Sequence, residues 1–94
     1  MKRISNITDG QHFEKEKYDS KTKDKILKYL KSFEPDCAAS PKIYDYVKNE
    51  ETKISLLGYN DGDFWWGSTD MYYFEHYDLR LRDEFINHVL SISS

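Results

Sequence analysis

Aromatic and acidic side chains are concentrated in one segment of this sequence, residues 59–78. The segment holds eight of the fifteen aromatic residues and five acids, and it contains neither lysine nor arginine. Tryptophan and tyrosine are the side chains that most often anchor protein–protein contacts, and carboxylates beside them speed association with a basic partner. The composition predicts a surface that recognises a cationic or strongly polar partner. The candidate contact residues are Asp61, Asp63, Trp65, Asp70, Tyr72, Tyr73, Glu75 and Asp78.

Residues that could carry out catalysis or bind a metal are few and widely spaced. The single cysteine, Cys37, and the histidines His12, His76 and His88 form no pair at a spacing of three or four residues, so no metal site is expected. No glycine-rich elbow surrounds the cysteine, and no glycine cluster could cradle a phosphate. Residues 61–63 begin like a calcium loop, but aromatic residues fill the next ligand positions. We therefore expect neither an enzyme nor a bound cofactor.

The net charge of −3 conceals an asymmetry between the two parts of the chain. Residues 1–58 sum to +2 and residues 59–94 sum to −5. A negative half disfavours nucleic-acid phosphates and favours a basic protein partner, although the acids could equally serve solubility alone. The aromatic run of residues 64–66 suits a platform for single-stranded nucleic acid, but such platforms lie in positively charged grooves. Nucleic acid is therefore not an expected ligand.

Length and composition indicate one domain covering residues 1–94. The hydrophobic fraction of 38% is low, and an aromatic fraction of 16% compensates for it, because aromatic rings bury large areas. We see no apolar run of membrane-spanning length and no secretory signal after the basic start. A lone cysteine suits a reducing compartment. These features predict a cytoplasmic protein without membrane contact, as a monomer or a weak homodimer.

The strongest local pattern is a β-hairpin over residues 53–67. The dipeptide Asp61-Gly62 separates two runs rich in β-branched and aromatic residues, which favours a two-residue type I′ turn. Counting outward from that turn places Gly58 opposite Trp65. We therefore expect Trp65 to lie over a residue that has no side chain.

The two adjacent tryptophans of the hairpin must point to opposite faces of the sheet, because side chains alternate along a strand. Trp66 shares its face with the apolar residues Leu57, Tyr59 and Phe64, so we assign Trp66 to the interior and Trp65 to a contact surface. The pattern alone leaves open which hairpin face is buried.

Helical patterns lie on both sides of the hairpin. Apolar residues recur at helical spacing in residues 20–33, with Ser20 as the N-cap, and again from residue 81 or 82 to residue 92. Residues 68–70 offer N-caps for a short helix ending at Tyr77. Residues 36–41 read as a loop, residues 43–47 fit a strand or a helix, and residues 1–19 form either a partly ordered arm or a short edge element. The predicted fold is α+β, a small antiparallel sheet packed against two or three helices.

In several respects the chain resembles the small acidic immunity proteins that bacteria make against polymorphic and contact-dependent-inhibition toxins. The similarity lies in size, in acidity, and in the run Asp61-Gly-Asp-Phe-Trp-Trp66 followed by Tyr72-Tyr73 and the closing segment Asp83–Leu90. Members of that group differ in fold, so the resemblance assigns no binding residue. It implies a non-enzymatic inhibitor that binds a toxin domain, often a basic nuclease, and blocks its active site. The alternative is a regulatory or small-ligand-binding module, such as a phage-encoded inhibitor.

Overall fold

The computed structural model describes residues 1–7 and 10–92, with the side chains of all of these except residues 37–40. Its elements in chain order are β1 (Lys2–Arg3), α1 (Ser20–Leu30), β2 (Cys37–Asp45), β3 (Glu50–Asn60), β4 (Phe64–Gly67), α2 (Ser68–Tyr77) and α3 (Asp83–Ile92). The four strands form one sheet in the order β1-β4-β3-β2. The α+β class and the hairpin are confirmed, and the sheet is mixed because β1 runs parallel to β4.

The N-terminal segment takes the second of its two predicted forms, an edge element of the sheet. Strand β1 pairs with β4, and isolated bridges join Ser5 to Leu81 and Lys15 to Leu79. The side chain of Ile4 is fully buried. Ile4 and Ile7 therefore belong to the core, and burial of their apolar surface offsets the entropy that the segment loses on ordering.

The core lies between one face of the sheet and the helices α1, α2 and α3. Trp66 is fully buried at its centre. The Trp66 ring stacks on Tyr59 with ring centroids 6.1 Å apart, and it lies 5.4 Å from Phe33 and 6.0 Å from Phe85. The interior assignment of Trp66 is therefore confirmed.

The turn of the hairpin lies one residue later than predicted. Its central residues are Gly62 and Asp63, and the amide of Asp61 donates to the carbonyl of Phe64 at 3.1 Å. Only Gly62 has a positive φ, 99°, so a type I′ turn at Asp61-Gly62 is wrong. The side chain of Asp61 causes the change, because its Oδ1 accepts hydrogen bonds from the amides of Asp63 and Phe64 at 2.9 and 2.8 Å. This pattern is an Asx turn.

The later turn shifts the pairing of the two strands by two residues. Asn60 lies opposite Trp65, and Gly58 lies opposite Gly67 instead of opposite Trp65. A shift of two residues leaves every side chain on its predicted face, whereas a shift of one would have exchanged the faces. The face assignments of the two tryptophans therefore survive an error in register.

Several element boundaries also differ from prediction. The N-cap of α1 is Asp19, whose Oδ1 accepts from the amide of Thr22 at 2.7 Å, and not Ser20. That helix ends at Leu30, three residues before its predicted end, and Lys31 caps it. Residues 37–45 form one strand, which replaces the predicted loop around Cys37 and makes residues 43–45 strand, while residues 46–47 lie in the following turn. The side chain of Cys37 lies outside the described part of the chain.

We predict that the two tryptophans contribute unequally to stability. Trp66→Ala should lower the free energy of unfolding by about 3–5 kcal/mol, because it opens a large cavity. Trp65 is 39% exposed, so Trp65→Ala should cost about 1 kcal/mol. Urea denaturation of both variants measures the difference. Equal losses would show that the outer side of the sheet carries as much packing as the inner side.

A second prediction separates backbone strain from steric crowding at two glycines. Gly10 and Gly62 have similar φ values, 86° and 99°. A Cβ at Gly62 would have no atom within 4 Å, whereas one at Gly10 would lie 2.5 Å from the Tyr73 hydroxyl. Gly62→Ala should therefore cost about 1 kcal/mol from strain alone, and Gly10→Ala about 3 kcal/mol. Thermal melts that rank the two equally would contradict the crowding at Gly10.

Candidate functional site

The side of the sheet that points away from Trp66 leaves large apolar side chains in contact with solvent. Ile54, Leu56 and Trp65 are 42%, 37% and 39% exposed. Alternation along β1 and β4 also directs Arg3, which pairs in register with Trp65, to this side. We call the surface formed by Arg3, Ile54, Leu56, Gly58, Asn60, Trp65 and Gly67 the outer face.

A groove of about 420 Å³ lies on the outer face. Leu56 and Trp65 line it, together with the glycines Gly58 and Gly67, which pair directly across β3 and β4. Because neither glycine carries a side chain, the sheet backbone is bare between the larger neighbours. The residues at its margin include Met1, Arg3, Asp36 and Thr69.

Arg3 is held rigidly beside the groove. Its guanidinium carbon lies 5.0 Å from the centroid of the Trp65 ring, which is a cation–π distance. Its Nε and Nη2 donate to the carboxylate of Asp70 at 3.2–3.3 Å. Asp70 is fully buried and also accepts from the Ser5 hydroxyl and from the amide of Gly67, the latter at 2.7 Å. A saturated, buried carboxylate therefore fixes the orientation of this arginine.

Asp61 is an internal hydrogen-bond centre despite its place in a turn. Its side chain is 3% exposed. Its Oδ2 accepts from the Tyr29 hydroxyl at 2.6 Å and lies 3.0 Å from Nε2 of His88. Burial raises the pKa of Asp61, but the hydrogen bonds from Tyr29, from two backbone amides and from His88 outweigh burial, so the pKa lies below its ordinary value. This carboxylate fixes the turn to α1 and α3.

Both candidate tyrosines of α2, Tyr72 and Tyr73, also point into the fold. Tyr73 is fully buried, donates to the carbonyl of Tyr44 at 2.9 Å and accepts from the amide of Tyr46 at 3.0 Å. The hydroxyl of Tyr72 donates to Oδ2 of Asp45 at 2.5 Å. That hydrogen bond, with burial, raises the pKa of Tyr72 well above its usual value. These hydroxyls secure α2 to the end of β2.

Asp45 is a functional-looking carboxylate that the sequence reasoning did not single out. It is fully buried and accepts from the hydroxyls of Tyr72 and Tyr77, both at 2.5 Å, and from the amide of Lys48 at 2.8 Å. Burial alone raises the pKa of Asp45, but these hydrogen bonds together bring it below the ordinary value. The same contact raises the pKa of Tyr77 to about 12. The available signal in the sequence was an acid between two tyrosines, Tyr44-Asp45-Tyr46. That pattern does not indicate whether the acid points into the core or into solvent.

The remaining candidate acids lie on the surface. Glu75 pairs with Lys31 at 3.2 Å, and Asp78, which ends α2 with a φ of 56°, pairs with Lys23 at 2.7 Å. Asp63 is exposed at the hairpin turn and forms no ion pair with the described residues. Of the eight candidates, the structure thus places only Trp65 on the outer face with an exposed side chain. Asp61, Asp70 and Tyr73 are buried inside the fold.

Metal chemistry has no support in the described residues. No group of three or more histidine, cysteine, aspartate or glutamate side chains among them lies close enough together to hold an ion.

Within the same residues, every helix is too short or too polar to cross a lipid bilayer.

Comparisons of the chain with family models, with curated proteins and with solved structures found no match.

The buried carboxylates predict a loss of stability in acid. The pKa of Asp45 is lower in the folded state, so the unfolded chain binds more protons than the folded chain below about pH 4. The free energy of unfolding therefore decreases as the pH is lowered through this range. Asp45→Asn lacks this contribution. The stability gap between wild type and Asp45→Asn should therefore be largest near about pH 6 and should shrink by about pH 2.5. Urea titrations at the two pH values measure the gap, and a constant gap would contradict a charged Asp45.

Proposed function

We propose that this chain is a non-enzymatic inhibitor of the immunity-protein kind, which binds another protein through its outer face. The observation that carries the proposal is Trp65, exposed in the groove that Leu56 also lines, on one side of a sheet whose other side holds the core; Ile54 is exposed farther along β3. A sheet face that stays in water usually carries polar residues, and exposed apolar patches often mark interaction sites. Tryptophan is enriched among the residues that dominate binding energy.

The proposed preference for a basic partner rests on the net charge of the whole protein more than on a dense acidic patch. The carboxylates of Asp61 and Asp70 are buried inside the fold, and those of Glu75 and Asp78 form ion pairs with lysines. Among the described residues, the exposed carboxylate that lines the groove is that of Asp36. With a net charge of −3, the protein still attracts a basic toxin domain, although weakly at physiological salt. In this proposal Trp65 contributes most of the binding energy, and the long-range charge raises the rate of association.

The proposal places the protein in the cytoplasm, where an inhibitor of an intracellular toxin would be needed and where a single cysteine stays reduced. It is a monomer before it meets its partner, or a weak homodimer that hides the same apolar side chains. In either state the outer face must be free when the partner binds.

A second candidate function is supported by the groove. A volume of about 420 Å³ falls within the range of small-molecule sites. Its lining of Leu56, Trp65 and bare glycine backbone suits a small ligand with an apolar body. Such a ligand would make the protein a regulatory or ligand-binding module instead of an inhibitor.

The test of the first proposal compares two aromatic residues of equal exposure. Trp65 and Tyr46 are both 39% exposed, but Tyr46 lies off the outer face. With a toxin domain identified by co-purification with this chain as titrant, Trp65→Ala should weaken binding by about 2 kcal/mol, roughly 30-fold. Tyr46→Ala should change it by less than about threefold. Isothermal titration calorimetry gives both values.

Growth protection in cells that express the toxin gives an independent reading of the same variants. Protection should fail with Trp65→Ala and persist with Tyr46→Ala. If both variants protect and bind like wild type, the outer face is not the inhibitory surface. If the wild-type chain binds no toxin domain yet binds small apolar molecules through Trp65, the second candidate function replaces the first.

A further inference from the structure

Arg3 has donors left over after it has bound Asp70. A guanidinium carries five N–H groups in a planar fork. Asp70 takes the side formed by Nε and Nη2, and Nη1 has no hydrogen-bond partner among the described residues. The end of the fork, formed by Nη1 and the second hydrogen of Nη2, therefore remains available. A carboxylate is the group that this edge binds best, because it can accept two parallel hydrogen bonds.

Arg3 lines the same groove as the bare backbone of Gly58 and Gly67. Oδ2 of Asp70 is shared by two contacts, one of 3.2 Å to Nη2 of Arg3 and one of 2.7 Å to the amide of Gly67. Nη2 is therefore no farther from the Gly67 amide than the sum of these two distances. An anion bound to Arg3 and an apolar group over Gly67 can therefore belong to one residue of a ligand.

We propose that Arg3 and the groove together bind the C-terminal residue of the partner chain. Its carboxylate accepts from the free edge of Arg3, and its apolar side chain packs beside Trp65 over the Gly58–Gly67 backbone. The inference rests on the proposed protein-binding function and names the chemistry that the outer face selects. In a C-terminal residue, covalent geometry holds the carboxylate close to the residue's own side chain, whereas a glutamate carboxylate and a neighbouring apolar side chain must each be ordered separately.

Rigidity favours this assignment. Arg3 is fixed on one side by a buried carboxylate and on its flat face by the Trp65 ring. A donor that is already ordered loses little conformational entropy when a ligand binds.

The test uses three short peptides and the full-length protein. The probes are N-acetyl-alanyl-leucine, its C-terminal amide, and N-acetyl-glutamyl-leucinamide, which moves the carboxylate to a side chain. Titrations at constant ionic strength follow the indole N–H of Trp65 and the Nε–H of Arg3 by NMR. The free acid should bind about tenfold more tightly than either amide, with both signals shifting along one saturation curve. Equal binding of the free acid and its amide, or shifts confined to other residues, would overturn the proposal.

Variants then separate recognition from folding. Arg3→Lys keeps a cation beside Asp70 but removes the fork, so it should abolish the preference for the free acid while the thermal melt shows a folded protein. Arg80→Lys is the matched control, because Arg80 pairs with Glu14 away from the groove, and it should keep the preference. A folded Arg3→Lys protein that still prefers the free acid would refute the role of Arg3.

The peptide result and the toxin result can fail separately. If Trp65→Ala loses the toxin domain but the free acid shows no preference, the inhibitor proposal stands and the terminal-residue site is wrong. If the free acid binds as expected but Trp65→Ala leaves toxin binding unchanged, the site exists and the inhibitory surface lies elsewhere. Equal binding of the glutamyl amide and the free acid would assign the carboxylate to a side chain and overturn the choice of a chain end.

Discussion

The buried carboxylate of Asp70 is the interaction on which the outer half of this structure depends. It accepts from Arg3 of β1, from the Ser5 hydroxyl, and from the Gly67 amide at the start of α2. One side chain thereby attaches the N-terminal strand to the sheet, completes the N-terminus of a helix and orients the arginine over Trp65. Removing Arg3 would leave the buried charge of Asp70 without compensation, which costs far more than the pair contributes.

The fold uses two further buried acids in the same way, each with different partners. Asp61 joins the hairpin turn to α1 through Tyr29 and to α3 through His88. Asp45 joins the end of β2 to α2 through Tyr72 and Tyr77. Apolar packing alone specifies the relative position of two elements only loosely, whereas a saturated hydrogen-bond centre permits one arrangement.

The interior polar groups are not all satisfied. Nε1 of Trp66 is a buried side-chain nitrogen that has no hydrogen-bond partner among the described residues. An unpaired donor in the core costs free energy. The ring is nevertheless surrounded by Tyr29, Phe33, Tyr59 and Phe85. In a chain with only 38% hydrophobic residues, the area that this side chain buries outweighs the loss at one atom.

Local patterns predicted the parts of the fold that are set by local physics. The alternation of side chains assigned Trp65 and Trp66 to opposite faces correctly, because that alternation does not depend on register in steps of two. Helical spacing located α1 and α3, because the spacing of apolar residues along a helix is likewise set by the local backbone. The turn was misplaced because Asp61 replaces backbone acceptors with its own carboxylate, a choice that the dipeptide Asp61-Gly62 does not reveal.

The acidic segment misled the prediction of the site for a different reason. Composition shows how many acids a segment holds, but exposure depends on partners that are distant in sequence. Arg3 and Asp70 are 67 residues apart, and Lys23 and Asp78 are 55 apart. A short window along the sequence therefore never contains both members of either pair. Folding therefore turns a segment that reads as an acidic surface into an aromatic and apolar face with a fixed arginine at its margin.

The edges of the sheet determine how a partner can reach that face. At one edge β1 is only two residues long. At the other edge β2 contains Pro41, which has no amide hydrogen to offer to an added strand. Short strands and proline are the features that blunt sheet edges against pairing with other chains. A partner that extended the sheet at β1 would find few backbone groups to bind, and one that paired with β2 would meet an interruption at Pro41. Under the proposed protein-binding function, recognition would then use side chains on the flat of the sheet, where Trp65 and Arg3 lie side by side on adjacent strands.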